Sequence, residues 1–424
     1  MLRRPDIAAA EDEGLGGNAW ASRIWKGRTA KICAFSSAPD IQLTDSGFCF
    51  FGAAPFEHRR LGSVWGSGGK SRSLTGVRDD SPIRDDDGSP SKRNNLEMTL
   101  HDKFGRQITD LRISITDRCN FRCVYCRSAD PENYRDHDEI LSWPELDRLA
   151  RVFLGLGIRK IRITGGEPLV REGVEDYIAR LHAQGVEDLS MTTNGHLLAD
   201  RCERLIQAGL RRINISLDSL DPAKFEKITR TKSFAAVMRG IDAAQNSRLA
   251  PAKINAVLVR RTNDDEVEAF ADFARQRGVI MRFIEFMPLD ADRTWTRNLM
   301  VPAAEVYQRI HARWPLEQIP HERSETARKY RFADGAPGEI GLIAPVTQPF
   351  CGHCSRIRLT ADGKLRTCLF SKDDHDLRAL LREGATDEDL VIHIRSVVMD
   401  KEEGHRINDP GFVPPSRTMV FIGG

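Results

Sequence analysis

Between Leu111 and Glu285, extended runs and helical patterns alternate six times, and few architectures accept that rhythm. The extended runs are Leu111–Ile115, Lys160–Thr164, Leu189–Thr193, Arg212–Leu217, Lys253–Val259 and Val279–Glu285. Helical periodicity lies between them, as over Pro144–Leu156, Val174–Gln184, Leu198–Ala208, Phe234–Asn246 and Asp265–Arg277. Several of these helices run into a glycine (Gly157, Gly185, Gly209, Gly278), a common helix stop. Strand–helix alternation at this spacing means βα units and a parallel sheet. The expected fold is α/β, with a partial, six-stranded parallel β/α barrel over residues 98–287; eight strands do not fit.

After Met287 the pattern changes. A helix near Ala303–Arg313 is followed by shorter segments, among them Arg356–Thr360 and Lys364–Leu369 joined by the hairpin signal Ala361-Asp362-Gly363. Residues 288–424 are therefore expected to form a smaller C-terminal α+β domain. Residues 1–97 differ again: rich in Gly, Ser, Arg and Asp, without sustained periodicity, and ending in a polar run. Such low apolar density does not offset chain entropy, so a disordered extension is expected there, with Met98 as the natural start. It lacks the apolar core of a signal peptide, and Glu11-Asp12-Glu13 argues against a mitochondrial transit peptide.

Charge narrows the function classes. Lys plus Arg is 63 against 61 for Asp plus Glu, so no global field draws the chain to nucleic acid or membrane. The longest apolar stretch, Phe48 to Phe56, is far short of a membrane span. Nine cysteines is an odd number for a disulfide framework, and six fall in two tight groups. Grouped cysteines in a chain of this size suggest metal or cluster binding in a reducing compartment, the cytoplasm or else the mitochondrial matrix. Cys33, Cys49 and Cys202 stand alone and read as inert.

Cys119, Cys123 and Cys126 form CxxxCxxC just after the first strand, where the loops of a parallel barrel build an active site. Four thiolates saturate a 4Fe–4S cube, so three leave one iron free to bind a small molecule. Half a zinc site is the alternative, but zinc spacing is usually CxxC without a third cysteine alongside. Cys351, Cys354 and Cys368 repeat the arrangement of three. A zinc ribbon would need a fourth ligand here, and His353, inside the CxxC loop, is awkwardly placed to serve. Arg356 and Arg358 follow, two apart on a strand and so on one face, where they read as an anion clamp.

Buried parallel strands usually read as continuous apolar runs. These alternate instead. Arg112 and Ser114 share a face, as do Lys160, Arg162 and Thr164, then Arg212, Asn214, Ser216 and Asp218, and finally Lys253 and Asn255. If the apolar faces pack on the helices, the polar faces line a cationic interior, and burying those cations is costly unless a polyanion joins them.

CxxxCxxC with an aromatic residue before its last cysteine, together with Gly165-Gly166-Glu167-Pro168 at the end of the second strand, resembles the radical S-adenosylmethionine (SAM) superfamily. The second cysteine group, Arg356-x-Arg358 and the ending Phe421-Ile422-Gly423-Gly424 narrow the resemblance. So do Leu111-Arg112-Ile113-Ser114, Lys160 to Gly166, Thr192-Thr193-Asn194-Gly195 and Arg282-Phe283-Ile284-Glu285-Phe286-Met287. Together they are similar to the GTP 3′,8-cyclases of molybdenum-cofactor biosynthesis, from about Met98 to Gly424. One departure is Arg127-Ser128, where the family often places Met-Pro.

The resemblance implies two 4Fe–4S clusters, at Cys119, Cys123 and Cys126 and at Cys351, Cys354 and Cys368, with SAM as cosubstrate. The first cluster would reduce SAM to a 5′-deoxyadenosyl radical. That radical would abstract the ribose 3′ hydrogen of GTP, and the carbon radical would add to guanine carbon 8. The backbone of the Gly165-Gly166-Glu167-Pro168 turn would bind the methionyl amine. Tyr125, Gly166, Ser216 and Met287 match SAM-contacting positions, and Arg112, Arg162, Thr192, Lys253, Arg356 and Arg358 match GTP-binding positions. Lys160 and the Gly423-Gly424 tail would support catalysis, the tail entering the site where a missing side chain permits close approach. Implied partners are an electron donor, a downstream cyclic pyranopterin monophosphate synthase and a second copy of the chain, with no nucleic acid and no membrane. A radical SAM peptide-modifying enzyme with an auxiliary cluster, and a zinc-ribbon interaction protein, are the rival readings.

Overall fold

The computed structural model describes residues 99–128, 134–322 and 324–423. The expectations for residues 1–97, for Met98 as a start and for Gly424, and the inert reading of Cys33 and Cys49, lie outside the described residues.

A small antiparallel hairpin, β1 (Leu100–His101) and β2 (Gln107–Ile108), precedes the main sheet. The six expected strands follow as β3 (Asp110–Ser114), β4 (Lys160–Thr164), β5 (Asp188–Thr193), β6 (Arg212–Ser216), β7 (Lys253–Leu258) and β8 (Ile280–Glu285). They lie side by side in chain order, each parallel to the next. Helices connect them, and local sequence starts those helices. Before Trp143–Gly155, for example, the Ser142 backbone N–H donates to Glu145 Oε2 at 2.7 Å in a capping box, with Pro144 in the first turn. That helix buries Leu146, Leu149, Ala150 and Phe153. The apolar faces of the strands, including Ile113, Ile161, Ile163, Leu189, Met191, Ile213, Ile215, Ile254 and Met281, join the same core.

The segment after Met287 adds β9 (Leu316–Ile319), β10 (Arg328–Phe332), β11 (Glu339–Ile343), β12 (Arg356–Leu359), β13 (Lys364–Arg366) and β14 (His375–Asp376). These strands continue the existing sheet. β11 pairs parallel with β8 and β12 parallel with β3, so the six-stranded run gains a parallel neighbour at each end. The full order is β14-β13-β12-β3-β4-β5-β6-β7-β8-β11-β10-β9. The physical reason is that an open parallel sheet leaves unpaired N–H and C=O groups along both edges, and the chain covers them with its own later strands. Periodicity within residues 111–285 carries no sign of those partners. The geometry also places β12, with Arg356 and Arg358, directly beside β3 and Arg112. Among the described residues, no helix is long and apolar enough to cross a membrane.

Candidate active site

The polar strand faces meet around one cavity with about 1740 Å³ of empty space, part of it open to solvent. Cys119, Cys123 and Cys126 line it, and so do Cys351, Cys354 and Cys368. Of the other residues singled out from sequence, Tyr125, Gly166, Ser216, Met287, Arg112, Arg162, Thr192, Arg356 and Arg358 face the same space. Lys160 and Lys253 instead line a second compartment that shares Arg112, Arg162, Arg282 and Arg356 with the first. Cys202 is buried in the core, as an inert thiol would be.

The first triplet sits on the loop leaving β3, clipped to the helix Pro222–Thr229 by Arg122 N to Thr229 O at 3.1 Å and Val124 N to Ile228 O at 3.0 Å. The turn after β4 lies against the same loop: Gly166 N donates to Thr116 O at 2.7 Å and Glu167 N to Arg118 O at 2.8 Å. A Cβ on Gly166 would stand 2.3 Å from Arg118 O, and one on Gly165 2.7 Å from Thr116 O. Both glycines therefore have a local reason, the close packing of two loops. Glu167 is buried and accepts from Asn194 N at 2.6 Å and Thr193 Oγ1 at 2.7 Å; burial pushes its carboxyl up to about 7. Tyr125 Oη donates to Asp218 Oδ2 at 2.5 Å, and burial raises Asp218 to about 6.

Burial, then the Glu167 charge, raises Cys119 to about 11, and burial raises Cys123 well above the ordinary thiol range. Thiols in such a place ionise when a metal supplies the compensating charge. Donors already face the sulfur: Phe121 N donates to Cys119 Sγ at 3.4 Å. The second triplet is assembled from the turn Cys351–His353, the start of β12 and the residues after β13. Phe370 N donates to Cys368 Sγ at 3.5 Å and Arg356 Nη2 to Cys354 Sγ at 3.4 Å. Burial acts to raise Cys354, but Arg356 and Lys401 outweigh it and hold that thiol at about 7. His353 is exposed and outside the cavity lining, so the zinc-ribbon reading gains no fourth ligand there. Among the described residues, no three His, Cys, Asp or Glu side chains converge on one point suited to a single metal ion. Thiolates are the donors that hold iron–sulfur clusters, and each triplet supplies three of them.

Strand register explains the electrostatics. Arg358 pairs with Arg112, Arg112 with Arg162, Arg162 with Ser190, and Ser190 with Arg212, giving one row of four arginines interrupted by a serine. Burial, then Arg358 and Arg162, holds Arg112 well below its ordinary value; burial and neighbouring cations bring Arg162 and Arg358 to about 10. Among the described residues, Arg112 has no hydrogen-bond acceptor. Such crowding is unfavourable until an anion enters.

Sequence reading missed Arg282 as a site residue. It is 7% exposed on β8, donates to Asn255 Oδ1 at 2.8 Å and Asn214 Oδ1 at 2.6 Å, and faces both compartments. The available signal was a lone cation inside an otherwise apolar strand. Asn194 and His405 were also not named as site residues, and they too line the cavity, together with Asp218 from the polar face read in the sequence.

The C-terminal tail runs beside this space, with Met419 in its lining. Arg358 Nη1 donates to Gly423 O at 2.8 Å, and a Cβ on Gly423 (φ +82°) would lie 2.7 Å from Ser114 Cβ. Upstream, Arg417 anchors the tail through Asp362 (2.9 Å) and Asp374.

Residues 113–274 match the radical SAM superfamily, and residues 279–407 match the family described as Molybdenum Cofactor Synthesis C. A GTP 3′,8-cyclase of Xanthomonas axonopodis pv. citri is 43% identical over 338 residues, covering 78% of this chain and 100% of that protein. One of Mycolicibacterium smegmatis is 44% identical over 331 residues, covering 77% of this chain and 92% of that protein. Among solved structures, Streptococcus suis SuiB bound to S-adenosylmethionine aligns with a TM-score of 0.49 at 14% identity, covering 75% of this chain and 79% of that one. Two thiol triplets, a row of arginines and near-complete coverage of these relatives agree: the chain belongs to the GTP 3′,8-cyclase family of the radical SAM superfamily.

Proposed function

We propose that this cavity converts GTP to 3′,8-cyclo-7,8-dihydroguanosine 5′-triphosphate, the first step of molybdenum-cofactor biosynthesis. One observation carries the reading: two triplets of thiols and Arg112, Arg162, Arg356 and Arg358, which make no ion pair among the described residues, open onto a single cavity. Cys119, Cys123 and Cys126 would hold one iron–sulfur cluster, and Cys351, Cys354 and Cys368 a second. The first cluster, when bound, supplies the electron that cleaves SAM to a 5′-deoxyadenosyl radical.

Everything else falls to the chain's own residues. Tyr125, Gly166, Ser216 and Met287 form the wall that receives SAM, with Asp218 fixing the Tyr125 hydroxyl. Arg112, Arg162, Thr192, Lys253, Arg356 and Arg358 receive GTP, with Arg282 added to that set by its position. The guanidiniums neutralise phosphate charge, and Lys253 keeps the proton on its Nζ when the phosphates arrive. Lys160 lines the phosphate-side compartment. The Gly423 carbonyl orients Arg358, and through that contact the tail would support catalysis.

The reading extends to a barrel part over residues 98–287 and a second-cluster part over 288–424 that share one sheet. An external electron donor, a downstream cyclic pyranopterin monophosphate synthase, a homodimeric assembly and a reducing compartment, cytoplasm or mitochondrial matrix, complete it. The test uses anaerobically reconstituted protein with SAM and a low-potential reductant. Formation of 5′-deoxyadenosine rises with GTP, together with a product of GTP's mass. Zinc in place of iron and sulfide, or 5′-deoxyadenosine formation indifferent to GTP, sinks the proposal.

A further inference from the structure

Two buried cations stand behind the second cysteine triplet, and nothing in the reaction above uses them. Lys401 is 2% exposed. Its Nζ donates to the main-chain oxygen of Arg356 at 3.1 Å and to that of Thr367. Arg356 lies two residues past Cys354, and Thr367 immediately precedes Cys368, so one ammonium ties together the segments that carry these two cysteines. Arg106, 8% exposed and held by Asp102 at 2.5 Å, supports the third position. Its Nη1 donates to Cys351 O at 2.9 Å and to Glu403 O at 2.8 Å, and its Nη2 to Glu402 O at 2.6 Å. The stretch 401–403 is thus wired to the backbone around all three cysteines.

A lysine is almost never fully buried unless paired. Among the described residues Lys401 makes no ion pair; its partners are two neutral carbonyls. Glu402 beside it is engaged elsewhere, accepting from Thr367 Oγ1 and Ser371 Oγ at 2.6 Å each. A buried cation without a counter-charge is strongly unfavourable. The missing counter-charge is what a thiolate-ligated cluster brings, since its sulfur ligands are anionic.

We propose that Lys401 is the positioning cation of the second iron–sulfur cluster, setting the Cys354 and Cys368 loops through two carbonyls and stabilising the cluster's reduced form by its charge. This rests on the two-cluster reading above. Reduction adds one electron to the cluster, taken from an external low-potential donor that is oxidised in turn, and a fixed positive charge nearby favours the more negative state.

The test uses the full-length chain carrying Cys119→Ala, Cys123→Ala and Cys126→Ala, which leaves the second triplet as the cluster site, reconstituted anaerobically with iron and sulfide. The cluster is poised against reduced viologen dyes and read by electron paramagnetic resonance, alongside iron and sulfide content. At the midpoint of the parent protein, Lys401→Gln lowers the reduced-to-oxidised ratio about tenfold, a 59 mV shift for one electron. Lys401→Arg, which keeps the charge, stays close to the parent. Glu402→Gln, which removes a negative charge at nearly constant shape, moves the ratio the other way. A Lys401→Gln protein that loads no cluster supports the same conclusion when Lys401→Arg loads it. Equal behaviour of Gln and Arg at position 401, whether both shift, both lose the cluster or neither changes, overturns the proposal. If the parent itself binds no iron and sulfide, the two-cluster reading falls instead, and the proposal with it.

Discussion

Lys253 is where the crowding of cations finds a titratable outlet. Burial first, then Arg282, Arg212 and Arg162, bring its ammonium from 10.5 down to about 8. In the unliganded protein the folded state releases this proton above about pH 8, while the unfolded chain keeps it to about 10.5. The unfolded state then binds more protons, so stability rises with pH across that window. A bound triphosphate supplies negative charge and returns the amine toward its ordinary value. Binding therefore takes up about half a proton at pH 8 and about nine-tenths at pH 9. Apparent GTP affinity is flat up to about pH 7 and falls about tenfold from pH 7 to pH 9.

Isothermal titration of GTP into reconstituted enzyme reads this directly. Two buffers of different ionisation enthalpy are compared at pH 8.5, above the titration of the terminal phosphate near about 6. Lys253→Met abolishes the proton uptake, flattens the pH profile and weakens binding at pH 7 by about 10- to 100-fold, the worth of one charge-assisted contact. Lys253→Arg retains affinity but not its pH dependence. Native enzyme without proton uptake, or a methionine variant with the native profile, would refute the cationic-compartment argument.

Two glycine substitutions probe the loops that frame the cavity. Gly166→Ala places a methyl 2.3 Å from Arg118 O, so the cysteine loop must shift. Iron and sulfide content should drop toward that of one cluster, with the second retained and circular dichroism unchanged; full loading of both would contradict the packing reason given for that glycine. Gly423→Ala adds a methyl 2.7 Å from Ser114 Cβ at a φ of +82°, where an L-residue is also strained by roughly 1–2 kcal/mol. The tail should leave Arg358 and GTP turnover should fall while iron content stays native, and unchanged turnover would remove the tail from the working site.

How far the sequence could be read depended on whether a contact leaves a local trace. The alternation of Arg112 with Ile113, or Arg162 with Ile163, records which strand face meets helices, so the core strands and the cationic interior were legible from parity. The cysteine triplets were legible because thiols at fixed spacing on one loop bring their own geometry. Arg282 escaped because its strand, Ile280–Glu285, is otherwise nearly all apolar and gives no alternation to place one cation. The edge strands escaped for another reason: β12 pairs with β3 across more than 240 residues of chain, and neither segment carries a mark of the other. That pairing is nonetheless what aligns Arg358 with Arg112 and brings the second triplet to the cavity. Lys401 shows the same limit most sharply. In the sequence it is one charge among many in a polar stretch, and its meaning comes only from the two carbonyls it meets on strands closed far from it in the chain. A cation so placed costs stability wherever it stands alone, so its burial is most simply understood as the protein's provision for an anion that arrives after folding.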